Sequence, residues 1–267
     1  MTHVIITGGS SGIGLALASL YAGRGARLSL IARSRVLLEQ AAQKLVSPHG
    51  ARAEDIRIET ADVASEDQID AAIFRCVEAF GPCDILVTSA GIVEPGPFVA
   101  MPSLSFRRQW ETNFSGTVNA VRAVYPDMVR RRQGQIVIIS SGAGLIGIYG
   151  YSGYCASKFA LHGFAQALRA EACCHGVQVT VAFPPDTETP QLERELELRP
   201  PEATVVMGTV RPWSADAVAS KIADDVVRGR SEIYFGFTLL LLGRFGPAVR
   251  PFLNWWFDRA IARSRGR

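Results

Sequence analysis

Thr7-Gly8-Gly9-Ser10-Ser11-Gly12-Ile13-Gly14 follows a short β-branched run, Val4–Thr7, and opens directly into a helical pattern beginning near Leu15. Glycines at 8, 12 and 14 keep the turn tight and bring backbone N–H groups and a helix N-terminus together, an arrangement that suits a pyrophosphate. The spacing is G-x-x-x-G-x-G, not the G-x-G-x-x-G of the usual dinucleotide fingerprint, so on the turn alone a purely structural glycine loop reads equally well. The same residues fit the nucleophile elbow G-x-S-x-G, with Ser10 as the serine. Position argues against that hydrolase reading: an elbow needs upstream strands and an oxyanion loop, and almost nothing precedes residue 10. Only His49, His162 and His175 follow as bases, none in a setting that defines a triad.

Outward from the turn, β-branched runs recur at Arg27–Ala32, Ile56–Thr60, Ile85–Ser89, Gln135–Ser140, Val177–Phe183 and Glu232–Tyr234. Longer stretches with apolar residues every three or four positions separate them, as in Ile69, Ile73, Cys76, Val77 and Phe80 before the Gly81-Pro82 stop. That alternation predicts βαβ units. The expected fold is α/β, a doubly wound Rossmann fold with a seven-stranded parallel sheet and an apolar helical C-terminal extension. Residues 1–229 form the expected Rossmann-type domain, and residues 230–267 hold the last strand and the extension. Residues 184–213 carry six prolines and read as a long loop with one short helix.

The second strand ends Ile31-Ala32-Arg33-Ser34-Arg35, with no carboxylate for a ribose 2′-hydroxyl. An arginine there suits a 2′-phosphate, which selects NADPH over NADH. Further along, Tyr154-Cys155-Ala156-Ser157-Lys158 places a phenol and an ammonium at i and i+4 on one helix face, just after Ser140-Ser141 at a strand end. A nearby cation favours the phenolate and draws the tyrosine pKa towards neutrality, which equips the residue to protonate a carbonyl oxygen. A non-catalytic nucleotide-binding scaffold would have no chemical need for Ser141, Tyr154 and Lys158 together.

In their order and spacing, T-G-x-x-x-G-x-G, Asp62-Val63, Ala90-Gly91, Asn113, Ser141, Tyr154-x-x-x-Lys158 and the proline after the sixth strand resemble the short-chain dehydrogenase/reductase family. The resemblance covers nearly all of residues 3–230. It implies an NADPH/NADP+ oxidoreductase with Tyr154 as general acid in reduction. Lys158 would hold the nicotinamide ribose and lower the tyrosine pKa, Ser141 would polarise the substrate carbonyl, and Asn113 would hold a relay water. It further implies a cofactor surface of Gly8, Ser10, Ser11, Gly12, Ile13 and Gly14, with Arg33, Asp62, Val63, Ala90 and Gly91. Tyr154, Lys158, Pro184, Thr187 and Thr189 complete that surface.

Two positions depart from the family pattern. Thr88 stands where an asparagine usually braces the sheet, and Pro185 replaces a glycine, removing an N–H. The segment Pro184-Pro-Asp-Thr-Glu-Thr-Pro190 resembles P-P-D-T-x-T-P of the branch that reduces 3-ketodihydrosphingosine to dihydrosphingosine. That likeness implies a long-chain keto-lipid substrate, with a 3-ketoacyl chain, a steroid or another apolar ketone as the alternative. The family likeness also implies a homo-oligomer, a dimer or tetramer.

Composition agrees with a folded core: 267 residues, 48% hydrophobic and 20% charged. The five cysteines are odd in number and lack C-x-x-C, which argues against a disulfide framework or zinc ribbon. The net charge of +3 hides an asymmetry. From residue 228 onward eight arginines face only Glu232 and Asp258, a balance of +6, while the preceding residues carry −3. This basic tail is also apolar, with Leu239–Leu242 and Trp255-Trp256-Phe257, which favours an anionic lipid surface over nucleic acid. Its uncharged stretch, Ile233 to Gly243, is eleven residues, too short for the roughly 20 of a bilayer span. A peripheral or re-entrant association is therefore expected, with a lid or subunit interface as the alternative. The opening residues carry no secretory-signal pattern, and only three of 28 basic residues are lysines, a usage that points to a GC-rich bacterial genome. Together these features predict the cytoplasm or the cytoplasmic face of a bacterial inner membrane.

Overall fold

Val4, Ile5 and Ile6 are each fully buried although successive strand residues point to opposite faces, so the first strand must lie in a sheet covered on both sides. The computed structural model, which describes residues 1–46, 51–207 and 211–265, places it there. Seven strands, β1 (His3–Thr7), β2 (Arg27–Ala32), β3 (Ile56–Thr60), β4 (Ile85–Thr88), β5 (Gly134–Ile139), β6 (Val177–Phe183) and β9 (Glu232–Tyr234), form one sheet in the order 3-2-1-4-5-6-9. Every pairing is parallel. The expected α/β architecture is therefore the one observed, with strand limits shifted by a residue at β1, β4 and β5.

Each face of the sheet has its own core. On one side Val4, Ile6, Leu28 and Leu30 pack against α1 (Gly12–Gly23), α2 (Arg35–Val46) and α9 (Ala215–Val227) through Leu17, Leu38 and Ile222. On the other, Ile5, Ile31 and Leu86 meet α3 (Glu66–Phe80), α5 (Gly116–Arg131) and α6 (Ser152–Ala172) through Ile69, Val124 and Leu161. The three- and four-residue spacing of Leu38, Ala41 and Leu45 on α2 gives it one buried stripe above an otherwise polar surface.

The strand order reverses between β1 and β4, the point at which open α/β sheets leave a crevice for ligands. Thr7 pairs with Ile31 on one side and Thr88 on the other, so the loops after β1, β2 and β4 leave the sheet at one level. A Cβ on Gly8 would lie 2.6 Å from the Ala90 nitrogen, so two of these loops touch directly at the reversal.

Residues 184–213 differ from the expected loop with one helix. They hold a two-stranded sheet, β7 (Thr187–Glu188) and β8 (Trp213–Ser214), and two helices, α7 (Pro190–Leu198) and α8 (Pro201–Met207). Thr189 caps α7 by accepting the Leu192 N–H at 3.2 Å, and Pro190 occupies its first turn, where a missing N–H costs nothing. The shorter α4 (Ser103–Trp110) leads into a π turn, Glu111–Ser115, before α5. The tail forms α10 (Gly236–Arg265), kinked at Phe245 just before Pro247 and packed on α8. Residues 266–267 of the expected extension lie outside the described residues.

Candidate active site

The glycine turn is built as its spacing requires. Gly8 and Gly12 have φ values of 71° and 55°, in the region that favours glycine, and the Gly8 N–H donates to the Ile31 carbonyl at 2.8 Å. A Cβ on Gly14 would meet the Gly8 carbonyl oxygen at 2.4 Å, so α1 can approach the turn only if residue 14 has no side chain. Ser11 occupies the N-cap position of α1 without a side-chain cap bond, and the first turn carries no acidic residue. The leading N–H groups and the positive end of the helix dipole thus face the turn uncommitted, ready for a phosphate.

From this turn runs a cavity of about 1130 Å³, above the common range for a single small ligand. Gly8, Ser10, Ser11, Gly12, Ile13, Arg33, Asp62, Val63, Ala90 and Gly91 line one end. Ser141, Tyr154, Lys158, Pro184, Thr187 and Thr189 line the middle, and Leu242, Leu253, Trp256 and Phe257 lie among the apolar residues beyond. Gly14 and Asn113 stand behind the wall. Arg33 is exposed at the mouth, while Asp62 closes a local turn by accepting the Ala64 N–H at 3.0 Å.

Tyr154 and Lys158 lie one turn apart on α6, with the Lys158 Nζ 5.6 Å from the tyrosine ring centre. That ammonium donates to the Ile139 carbonyl at 3.0 Å, and burial pulls its pKa down from 10.5 to about 8. The phenol departs from the expected direction. Burial, reinforced by the Glu195 charge, pushes it above its ordinary value of 10, and the hydrogen bond with Ser141 only partly offsets this. The cost of desolvating a phenolate outweighs its favourable partners, so Tyr154 carries its proton at neutral pH. Ser141 is itself oriented by the Ala143 N–H, which donates to its hydroxyl at 3.2 Å.

Asn113 is fully buried in the π turn, a deformation often found at functional sites. Its amide nitrogen donates to the Ile92 carbonyl at 2.9 Å and to Ser157 Oγ at 3.0 Å, and its Oδ1 accepts the Ile92 N–H at 2.8 Å. Ser157 in turn donates to the Tyr154 carbonyl at 2.7 Å. The side chain thereby ties the segment after β4 to the helix that carries Tyr154. At the departure noted in sequence, the Thr88 hydroxyl is buried with no hydrogen-bond partner among the described residues.

No histidine lines the cavity among the described residues, which leaves Ser10 without a base there. His162 faces Glu232 at 3.2 Å, His175 lies in the turn after α6, and His49 lies outside the described residues. Sequence reasoning missed a polar group beside Tyr154: Tyr151 donates to Glu195 at 2.7 Å, and Arg199 bonds Glu195 at 2.7 Å and Asp186 at 2.8 Å. Its one sequence trace was the Glu195/Arg199 pair at i and i+4, which reads as a surface helix pair.

Residues 2–199 match the model of the short chain dehydrogenase family. The chain is 38% identical over 251 residues to a Bos taurus protein named 3-ketodihydrosphingosine reductase, covering 93% of this chain and 75% of that one. It is 37% identical over 235 residues to a Danio rerio 3-dehydrosphinganine reductase, covering 88% and 71%. Among solved structures it resembles ElxO with NADP bound, with a TM-score of 0.74 and 26% identity over 84% of this chain and 90% of the other.

Proposed function

The chain belongs to the short-chain dehydrogenase family, and from that membership we propose that it reduces the 3-keto group of 3-ketodihydrosphingosine to give dihydrosphingosine in sphingolipid biosynthesis. The cofactor is NADPH. The observation that carries the reading is the placement of Ser141, Tyr154 and Lys158 midway along a cavity with a phosphate-ready glycine turn at one end and an apolar wall at the other.

The glycine turn fits a dinucleotide, since side chains at Gly8 or Gly14 would fill the cradle with Cβ atoms 2.4–2.6 Å from backbone. The backbone N–H groups of residues 10–14 would hold the pyrophosphate, Asp62 and Val63 would border the adenine, and Arg33 would pair with the 2′-phosphate. When bound, NADPH supplies a hydride to the carbonyl carbon. Ser141 and Tyr154 would both donate to the ketone oxygen, leaving its carbon electron-poor, and the Tyr154 proton would complete the alcohol. Lys158 would hold the ribose and stabilise the phenolate formed on donation. Asn113, its side chain committed to Ile92 and Ser157, would support the proton relay by fixing the helix that carries Tyr154.

The apolar end suits a long alkyl chain, where each buried methylene contributes about 0.8 kcal/mol. We propose residues 1–229 as the reductase domain and 230–267 as the last strand and the basic apolar extension. No described helix is long and apolar enough to cross a membrane. Instead, one face of α10 lines the cavity through Leu242, Leu253 and Phe257, while Phe245, Phe252 and Trp255 stand exposed among arginines. That second face supports a peripheral position on the cytoplasmic side of an anionic membrane, from which the lipid could enter without crossing water. Exposed Phe98 and Val99 before α4 and Leu104 on it support a homo-oligomer in which a second copy covers them.

The test is NADPH oxidation by purified protein with 3-ketodihydrosphingosine, a 3-ketoacyl thioester and a ketosteroid. The sphingoid ketone should have the highest kcat/KM. A clear preference for either of the others would replace the substrate assignment.

A further inference from the structure

Beside the reacting centre, two carboxylates share one cation. Arg199 donates to Glu195 Oε1 at 2.7 Å and to Asp186 Oδ2 at 2.8 Å, so this small group carries one net negative charge. Both hydrogen bonds to Glu195, from Arg199 and from the Tyr151 hydroxyl, fall on Oε1 and leave Oε2 uncommitted among the described residues. Glu195 is only 9% exposed, and burial pushes its carboxyl upward, as expected for an anion whose neutralisation is incomplete.

The location is specific. Glu195, Asp186 and Tyr151 line the same cavity as Tyr154, and the Tyr151 and Tyr154 rings meet edge to face at 6.3 Å. The third carboxylate lining the cavity among the described residues is Asp62, at the nucleotide end. Arg194 and Arg211 also line it, but both are solvent-exposed.

The proposed substrate carries an amine on the carbon next to the ketone. Once the ketone oxygen is held by Tyr154 and Ser141, that amine must lie within a few ångströms of them, in a cavity whose far end is apolar. A protonated amine buried there needs an anionic partner. We infer that Glu195, supported by Asp186, binds this ammonium group and selects amino ketones over otherwise identical ketones lacking the amine. The inference rests on the sphingoid reading of the substrate and assigns its polar head to named residues. Glu195 is thus a specificity-determining residue, and Arg199 and Tyr151 position it.

The experiment compares kcat/KM for 3-ketodihydrosphingosine and for its des-amino counterpart, 1-hydroxyoctadecan-3-one, in wild-type enzyme, Glu195→Gln and Asp186→Asn. Wild-type enzyme should prefer the amino ketone by about tenfold to a hundredfold, the range of one charge-assisted hydrogen bond. In Glu195→Gln that preference should collapse to about twofold or less, carried by KM for the amino ketone. Asp186→Asn should lose part of it, and this variant carries the test if Glu195→Gln does not fold. Equal losses on both ketones would mean a structural role and overturn the inference, as would full retention of the preference. Wild-type enzyme that reduces both ketones equally refutes the amine site alone, whereas failure to reduce either refutes the substrate reading beneath it.

Discussion

The Lys158 ammonium lies 5.6 Å from the centre of the half-buried Tyr154 ring, one turn along α6, and is itself buried. Burial lowers the lysine pKa from 10.5 to about 8. Between those two pH values the unfolded chain holds a proton that the folded chain has released, so stability rises with pH across that window. Below about pH 8 the cost of burying the charge is complete. Lys158→Met removes that cost, so wild-type stability measured against the variant should rise by about 3 kcal/mol from pH 8 to 10.5. Urea unfolding of both proteins across this range is the measurement, and a constant difference would contradict the burial argument.

Arg33 stands exposed at the mouth of the cavity after β2, with no carboxylate from residue 32 to 38. Arg33→Ala should lower the NADPH/NADH ratio of kcat/KM by about 10- to 100-fold, mostly through KM for NADPH. An unchanged ratio would remove Arg33 from the 2′-phosphate site.

The buried Thr88 hydroxyl has no partner among the described residues. Replacing an unsatisfied hydroxyl with a methyl group of similar shape removes a desolvation cost, so Thr88→Val should raise stability by about 1 kcal/mol. A loss of comparable size in chemical denaturation would show that the hydroxyl has a partner.

On the outer face of α10, Phe252 and Trp255 stack with ring centres 5.8 Å apart, and Arg259 lies 3.9 Å over the Trp255 ring. Phe252→Ser with Trp255→Ser should weaken co-flotation with anionic vesicles at least about tenfold, because the aromatic anchors are lost while the arginines remain. Undiminished vesicle binding would place the membrane contact elsewhere or dispense with it.

Central strands such as β1 and β4, buried on both faces, are continuous apolar runs, while the edge strands β3 and β9, which carry Arg57, Glu59 and Glu232, were legible from their β-branched residues and their place in the alternation. The segment between β6 and α9 was not, because its prolines read as breakers. Pro190 and Pro201 instead begin α7 and α8, where proline costs no hydrogen bond. The proposed catalytic pair at 154 and 158 was visible from helical spacing, but the direction of the Tyr154 shift was not, since it depends on burial and on Glu195 from another helix. Tyr151 and Glu195 are 44 residues apart, and only the fold makes them neighbours. The apolar tail read in sequence as a membrane contact or as a lid or subunit interface, and α10 has both a cavity-lining face and exposed aromatic residues.

The most direct measurement follows dihydrosphingosine formed from 3-ketodihydrosphingosine and NADPH by wild-type enzyme and Tyr154→Phe, with NADPH binding titrated on both by nucleotide fluorescence. The proposed mechanism predicts steady product from wild-type enzyme. In the variant it predicts a loss of at least about a thousandfold, within the range of general acid catalysis, with NADPH affinity within a few-fold of wild type. Substantial product from Tyr154→Phe, or none from a wild-type protein that binds NADPH, would contradict it.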